Sequence, residues 1–190
     1  LGGPASRSLR MLADEINAAG GIKGHTIELI IKDSAGSPEK AISFAKQLIE
    51  EDRVFAIIGP STSGESLSIK KVCEDGQTIM ISCSAADLIV TPVSPHIFKT
   101  APSDRFAARQ IYTLMQKRGI SRIAVLAAND GFGKAGKEQL AKNAADFGIT
   151  IVAEDVYDKS ATDLTASVAK LKANPKTQAA ANGSVETARP

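Results

Sequence analysis

Short apolar runs and amphipathic helical stretches alternate along almost all of this 190-residue chain. A run that is apolar throughout fits a strand covered on both faces, whereas apolar residues three and four apart fit a helix covered on one. Residues 5–19 carry Leu9, Leu12 and Ile16 on one helical face, and Gly20-Gly21 stops them. Residues 27–31 read as a strand. Ser37-Pro38-Glu39 opens a helix with a cap and a first-turn proline, and Ala41, Ala45, Leu48 and Ile49 form its inner face. Val54–Ile58 and Thr78–Ser82 read as strands around a helix at 64–74. Residues 84–96 read as a loop with Pro92 and Pro95, and 97–100 as a short extended piece.

The pattern then restarts. A helix is predicted over 104–118, a strand over 122–127, a helix over 133–147, a strand over 150–156 and a helix over 161–173. Strands alternating with helices in this way predict an α/β fold with doubly wound parallel sheets. The restart at Thr100–Asp104, marked by Pro102, divides the chain into a first lobe at 1–100 and a partial second lobe at 101–175. The tail at 176–190 has one branched apolar residue, Val185, and is expected to be irregular. A doubly wound unit normally begins on a strand, and here the alternation begins on a helix. The fold is therefore expected to be incomplete at both ends.

Composition removes several function classes. A net charge of +2, no Trp and 4% aromatic residues give no basic surface or stacking platform for nucleic acid. No apolar run reaches the length of a membrane span. Cys73, Cys83, His25 and His96 lie in different contexts without metal-ligand spacing, so neither a metal nor another cofactor is expected. The two cysteines read as small buried residues, with a disulfide left open. The chain starts at Leu1 without a signal peptide, so its compartment is not directly readable.

Three motifs come close to known chemistry and fall short. Gly59-Pro60-Ser61-Thr62-Ser63-Gly64 has P-loop spacing, but Glu65 stands where a lysine must meet the phosphates. The same turn fails as a nucleophile elbow because Ser63 replaces the last glycine, and no histidine follows in a strand-end context. Gly131-Phe132-Gly133-Lys134-Ala135-Gly136 matches a dinucleotide fingerprint, yet Ala128-Asn129-Asp130 separates it from the strand and Phe132 crowds the turn.

Binding features without catalytic partners remain. Backbone N–H groups at a helix start point outward and carry partial positive charge. The turn ending in Ser63 and Gly64 would offer such donors to a carboxylate. Ser84, Ala85 and Ala86 end the next strand, and Phe132 ends a strand of the second series. Strand ends are where open α/β sheets hold ligands. Taken singly, Ser63 and Ser84 read as helix N-caps, and their recurrence on successive strand ends favours a ligand site.

The segment Ala13-Asp14-Glu15-Ile16-Asn17-Ala18-Ala19-Gly20-Gly21-Ile22-Lys23-Gly24 resembles the first helix and turn of the branched-chain amino-acid type solute-binding proteins of ABC importers. The Gly59–Gly64 turn, the 79–82 strand, Phe98-Lys99-Thr100 and Asp130-Gly131-Phe132-Gly133 follow in the family's order. The resemblance covers about residues 1–173. It implies a type I periplasmic binding protein fold, two Rossmann-like lobes closing about a hinge that would include Thr100-Ala101-Pro102. It also implies a non-enzymatic receptor that is exported to the periplasm or cell exterior, binds a small carboxylate between its lobes and delivers it to a membrane permease. By position it places Ser63, Gly64, Ser84, Ala85, Ala86 and Phe132 at the ligand, with Ser63 at the carboxylate. Amino-acid binders of this family often carry Thr or Ser where this chain has Ala86, which leaves an aromatic or other small carboxylate as an alternative to an amino acid. A nucleotide-dependent enzyme using the Gly131–Gly136 loop, and a sensor domain of a larger receptor, are the competing readings.

Overall fold

The structure is a computed structural model that describes residues 2–182. Its contacts divide into two units: Leu1–Ser84 with Ser94–Phe98, and Ala85–Val93 with Lys99–Pro190.

In the first unit, α1 (Gly2–Ala18) and α2 (Pro38–Glu50) precede β1 (Ala56–Ile58), α3 (Ser63–Asp75), β2 (Ile79–Ser82) and β3 (Ile97–Lys99). The sheet order is β1-β2-β3, and β1 runs parallel to β2 with Ala56 opposite Ile79 and Ile58 opposite Ile81. Helix α2 starts as its sequence dictates: Pro38 occupies the first turn, and Ser37 Oγ accepts from the Lys40 N–H at 3.3 Å. Ala41, Ala45 and Leu48 of α2, Ile69 and Cys73 of α3, and Met80 of β2 are buried, and α2 packs on α3. Cys73 and Cys83 are free thiols. Burial pushes the Cys73 thiol up to about 11, as expected for an inert core cysteine.

Two expectations for this unit fail. Residues 27–31 join no sheet. Both backbone groups of Ile27 are taken by the Asn17 side-chain amide, at 2.7 Å and 2.8 Å. The segment pairs with no strand among the described residues, and Ile30 and Ile31 stay exposed. Leu12, expected on the inner face of α1, is also exposed, as is Met11, and Ala13 is the buried residue of that helix.

The second unit contains α4 (Asp104–Lys117), β4 (Arg122–Ala128), α5 (Gly131–Ala144), β5 (Thr150–Tyr157), α6 (Thr165–Lys172) and β6 (Ala179–Asn182). Its sheet is parallel with the order β5-β4-β6. The five residues Ile123–Ala127 of β4 are all buried. Strand side chains alternate between faces. Ile123 and Val125 accordingly pack with Ala108, Tyr112 and Met115 of α4 and Leu140 and Ala144 of α5. Ala124 and Leu126 pack with Leu171 of α6. Helices therefore cover both faces of this sheet, the doubly wound arrangement.

The tail expected to be irregular supplies β6. Ala179–Asn182 pair in parallel with Ile123–Leu126, and Gln178 anchors the approach, its Oε1 accepting from the Ser121 and Arg122 N–H groups at 3.0 Å and 2.9 Å. The open edge of β4 provides backbone partners, so branched side chains are not needed to recruit the strand. The rest of that tail lies outside the described residues. The last helix is shorter than predicted because the chain turns through 158–161, where the Ala161 N–H bonds to the Asp158 carbonyl.

Tyr112 is fully buried and its hydroxyl donates to the Leu140 carbonyl at 2.8 Å, tying α4 to α5. Tyr112→Phe is expected to cost about 1–2 kcal/mol in denaturant unfolding. Burial pushes the Tyr112 hydroxyl up to about 12, so the native state holds that proton more tightly than the unfolded chain. The resulting stability is intact below the unfolded value, about 10, and is lost as pH rises from there through the folded one. The phenylalanine variant should lack this part of the alkaline loss.

Candidate functional site

The Gly59–Gly64 turn is built from the end of β1 against the end of β2. The Gly59 N–H bonds to the Ile81 carbonyl at 2.9 Å, and the Cys83 N–H bonds to the Pro60 carbonyl at 3.1 Å. Gly59 has φ +121, which a side chain would strain. Thr62, not Ser63, is the N-cap of α3: its Oγ1 accepts from the Glu65 N–H at 3.3 Å. The Glu65 carboxylate accepts in turn from Thr62 Oγ1 and Ser34 Oγ, both at 2.5 Å. This variant of the capping box gives the glutamate in the P-loop lysine position a structural role. Glu65 is buried and committed to two hydroxyls.

Ser63 is the first residue of α3 and is only 1% exposed. The Ser66 N–H bonds to the Thr62 carbonyl, and the Glu65 N–H is capped, whereas the Gly64 N–H takes no partner among the described residues. One orphan donor of the helix start is therefore left open beside a small residue.

Ser84 is not a helix cap. Its hydroxyl belongs to a buried triad with Ser66 of α3 and Ser82 of β2, with oxygen separations of 2.7, 2.8 and 2.7 Å. Three hydroxyls in a ring can each donate once and accept once, so the triad satisfies itself while fastening α3 to the end of β2.

In the second unit, Ala86 is fully buried and precedes a 3-10 turn at Asp87–Ile89. The Ala85 carbonyl accepts from Lys99 Nζ at 2.7 Å and from the Asp104 N–H at 3.0 Å. The Ala86 carbonyl accepts from the Ile89 N–H at 3.2 Å. Asp104, the first residue of α4, receives the Asp87 N–H on Oδ1 at 3.1 Å, while its buried Oδ2 takes no hydrogen bond among the described residues. Burial pushes the Asp104 carboxyl up, against the opposing pull of the Asp87 N–H and the Lys99 ammonium. Burial likewise pushes Lys99 down. Asp104 and Lys99 thus hold the 85–87 loop, and sequence reasoning missed both. The sole signal was an aspartate following Pro102-Ser103 at a helix start.

Phe132 lies in the first turn of α5 and is 37% exposed. The glycines around it do not form a phosphate turn, because Gly131 is already helical. The Asp130 side chain caps α5 by accepting from the Gly133 N–H at 2.9 Å, which puts a carboxylate where a pyrophosphate would need bare donors. A Cβ on Gly133 would stand 2.1 Å from the Ala128 carbonyl oxygen. This glycine therefore lets α5 approach the end of β4.

Both units alternate strands with helices in an open α/β arrangement, and the first carries a small-residue turn at a strand end. The family pattern described as periplasmic binding protein matches residues 1–189, and the chain belongs to that family. It is similar to an amino acid binding protein of Pseudomonas aeruginosa, with 24% identity over 88% of this chain and 46% of the relative. It is also similar to Leu/Ile/Val-binding protein homolog 7 of Brucella abortus, with 26% identity over 90% of this chain and 45% of the relative. The chain thus spans about half the length of the curated relatives it matches. A crystal structure of a periplasmic binding protein from Burkholderia mallei shares the fold with a TM-score of 0.84 at 19% identity, covering 93% of this chain and 47% of that one. An ABC transporter substrate-binding protein from Desulfitobacterium hafniense, in complex with Leu, aligns with a TM-score of 0.70 at 25% identity, covering 88% and 50%. No helix among the described residues is long and apolar enough to cross a membrane.

Two substitutions test this geometry. Gly133→Ala is expected to cost about 3–5 kcal/mol, read as a fall in Tm, because the new methyl would meet backbone. Asp104→Asn keeps an acceptor for the Asp87 N–H and removes the buried charge. A carboxyl raised by folding contributes stability below its unfolded value, about 3.9, and that contribution is lost as pH rises through the folded one. The asparagine variant should therefore gain on the parent between pH 4 and pH 7 in parallel thermal melts.

Proposed function

We propose that the chain is the ligand-recognising part of a solute-binding component of an ABC importer. It works outside the cytoplasmic membrane, takes up a small carboxylate without chemistry and passes it to a permease. The single observation that carries this reading is the start of α3, where the Gly64 N–H is open beside buried Ser63 in a chain of the periplasmic binding protein family. A carboxylate there would accept from that N–H and from the Ser63 hydroxyl as charge-assisted hydrogen bonds. The relatives named for Leu/Ile/Val binding and the similar structure in complex with Leu make a branched-chain amino acid the first ligand to test. Ser84, Ala85, Ala86 and Phe132 complete the proposed recognition set. Release and capture by lobe closure require only that ligand contacts favour the closed state.

A second reading of the ligand has its own support. An α-ammonium group needs acceptors, and the Ala85 carbonyl already accepts two hydrogen bonds. The Ala86 carbonyl also accepts from the Ile89 N–H, and Ala86 has no hydroxyl. These facts favour a carboxylate without an ammonium group, such as an aromatic acid.

Isothermal titration of the chain with leucine and with benzoate decides between them. Tight leucine binding with benzoate silent would remove the second reading, and the reverse would remove the first. Ser63→Ala is expected to weaken whichever ligand binds by about 1–3 kcal/mol. An unchanged affinity would reduce Ser63 to a helix-start residue. A thermal-shift panel with NAD, NADP and ATP should be flat, since the Asp130 carboxylate caps the α5 start at the glycine motif and Glu65 stands where a P-loop needs its lysine.

A further inference from the structure

The second unit has a pocket of about 450 Å³ between the first two turns of α4, the later turns of α5 and the 3-10 turn at 87–89. Its wall carries Arg105 and Arg109 from α4, four residues apart, and Gln139, Lys142 and Asn143 from α5, spaced three and four apart, with Asp87 on one side. Residues at these spacings share one helix face, so the two helices present their polar faces to a common space.

Three features set this pocket apart from an ordinary solvated ion-pair network. Its lining holds three cations against the single carboxylate of Asp87, and the neutralising Glu138 and Asp146 are not part of the wall. The guanidinium groups are loosely paired with carboxylates: Arg105 lies 3.5 Å from Asp87, and Arg109 lies 3.4 Å from Asp146 and donates to Asn143 Oδ1 at 3.2 Å, whereas Lys142 is closely paired with Glu138 at 2.5 Å. Charge-assisted pairs close to about 2.7–2.9 Å when fully engaged. Both guanidiniums also rest over aromatic rings, Arg105 over Phe106 at 4.8 Å and Arg109 over Phe147 at 5.0 Å, which fixes their planes without using their N–H donors.

The third feature is Gln139. It is 7% exposed, lines the pocket, and its side-chain amide makes no hydrogen bond among the described residues. Its backbone carbonyl accepts from Asn143 Nδ2 at 2.8 Å. The amide atoms keep contact with solvent, since Asp104 Oδ2 is the one buried side-chain oxygen or nitrogen without a partner among the described residues. An amide that faces a cationic pocket exchanges water for a ligand acceptor when an acceptor-rich ligand enters.

We propose that this pocket is a second binding site, for a small multiply charged oxyanion, with Arg105, Arg109 and Lys142 supplying charge and the Gln139 and Asn143 amides supplying donors. Phosphate and polycarboxylates share this chemistry. The site is independent of the carboxylate site at α3 and uses none of its residues.

Binding is tested on the full chain by thermal shift and by 15N chemical-shift perturbation. Citrate and inorganic phosphate are titrated separately against NaCl at equal ionic strength, because screening alone alters loosely paired surface charges. Saturable shifts confined to the 104–109 and 139–143 segments are expected for at least one of the two anions, and which one responds identifies the source. The double variant Arg105→Gln, Arg109→Gln should lose at least tenfold in affinity. Gln139→Leu should lose several-fold in affinity while its Tm stays level, since the side-chain amide has no protein partner to lose. Shifts no larger than those of NaCl for both anions, or undiminished binding in Gln139→Leu and in the double variant, would overturn the proposal. Ser63→Ala should leave these anion titrations unchanged, which separates a failure here from a failure at α3.

Discussion

The burial of β4 on both faces is the constraint around which the second unit is organised. Ile123 and Val125 require a cover of apolar side chains on one side, and Ala124 and Leu126 require one on the other. Two helices answer the first demand and α6 the second. Fully burying a Val, Leu or Ile side chain is worth roughly 1.5–3 kcal/mol, so this single strand accounts for much of what holds the unit together. It also sets the chain order. A parallel partner can be reached only by crossing over a face, and each crossover delivers a helix where cover is needed.

That logic explains why most of the fold was legible. A doubly buried strand leaves an uninterrupted apolar run, and Ile123–Ala127 is one. A helix covering one face leaves the 3.6-residue repeat, as in Ala108, Tyr112 and Met115. What escaped was pairing itself. Residues 27–31 have strand composition but no sheet, because a ladder needs a neighbouring backbone and Asn17 takes the groups of Ile27. Residues 179–182 lack strand composition but join β4, because its edge was open. Propensity describes how well a side chain suits a pleated, half-buried surface, and it does not record whether a partner edge exists.

The candidate site was legible in its positions and less so in its bonding. Strand–turn–helix order placed attention on 59–64 and 131–136, and both are helix starts in the structure. The cap of α3 was not readable, Thr62 instead of Ser63, whereas capping is the default role of an aspartate near a strand end and Asp130 takes it at α5. Capping decides whether a helix start can receive an anion. A helix start whose N–H groups are met by a carboxylate side chain repels an anion, whereas one with an open N–H beside a small residue can receive it. The same distinction explains Glu65. As a motif residue it is a failed P-loop lysine. As a structural residue it locks Thr62 and Ser34 and helps leave the Gly64 N–H as the open donor.

The loop at 85–87 carries the argument about ligand chemistry one step further. Its backbone is held by Lys99 and Asp104, and the cost is visible in Asp104 Oδ2, a buried carboxylate oxygen with no hydrogen bond among the described residues. A buried charge that is only half satisfied is normally selected against. Its presence is intelligible if the loop must keep one shape, since both groups bind backbone atoms that would otherwise be free to turn. Holding the Ala85 carbonyl toward Lys99 and Asp104 uses up its acceptor capacity, and a carbonyl so committed is poorly placed to greet an ammonium group. On the proposed function, the residues that rigidify this loop therefore also narrow the chemistry it would recognise, toward ligands whose demand is for donors.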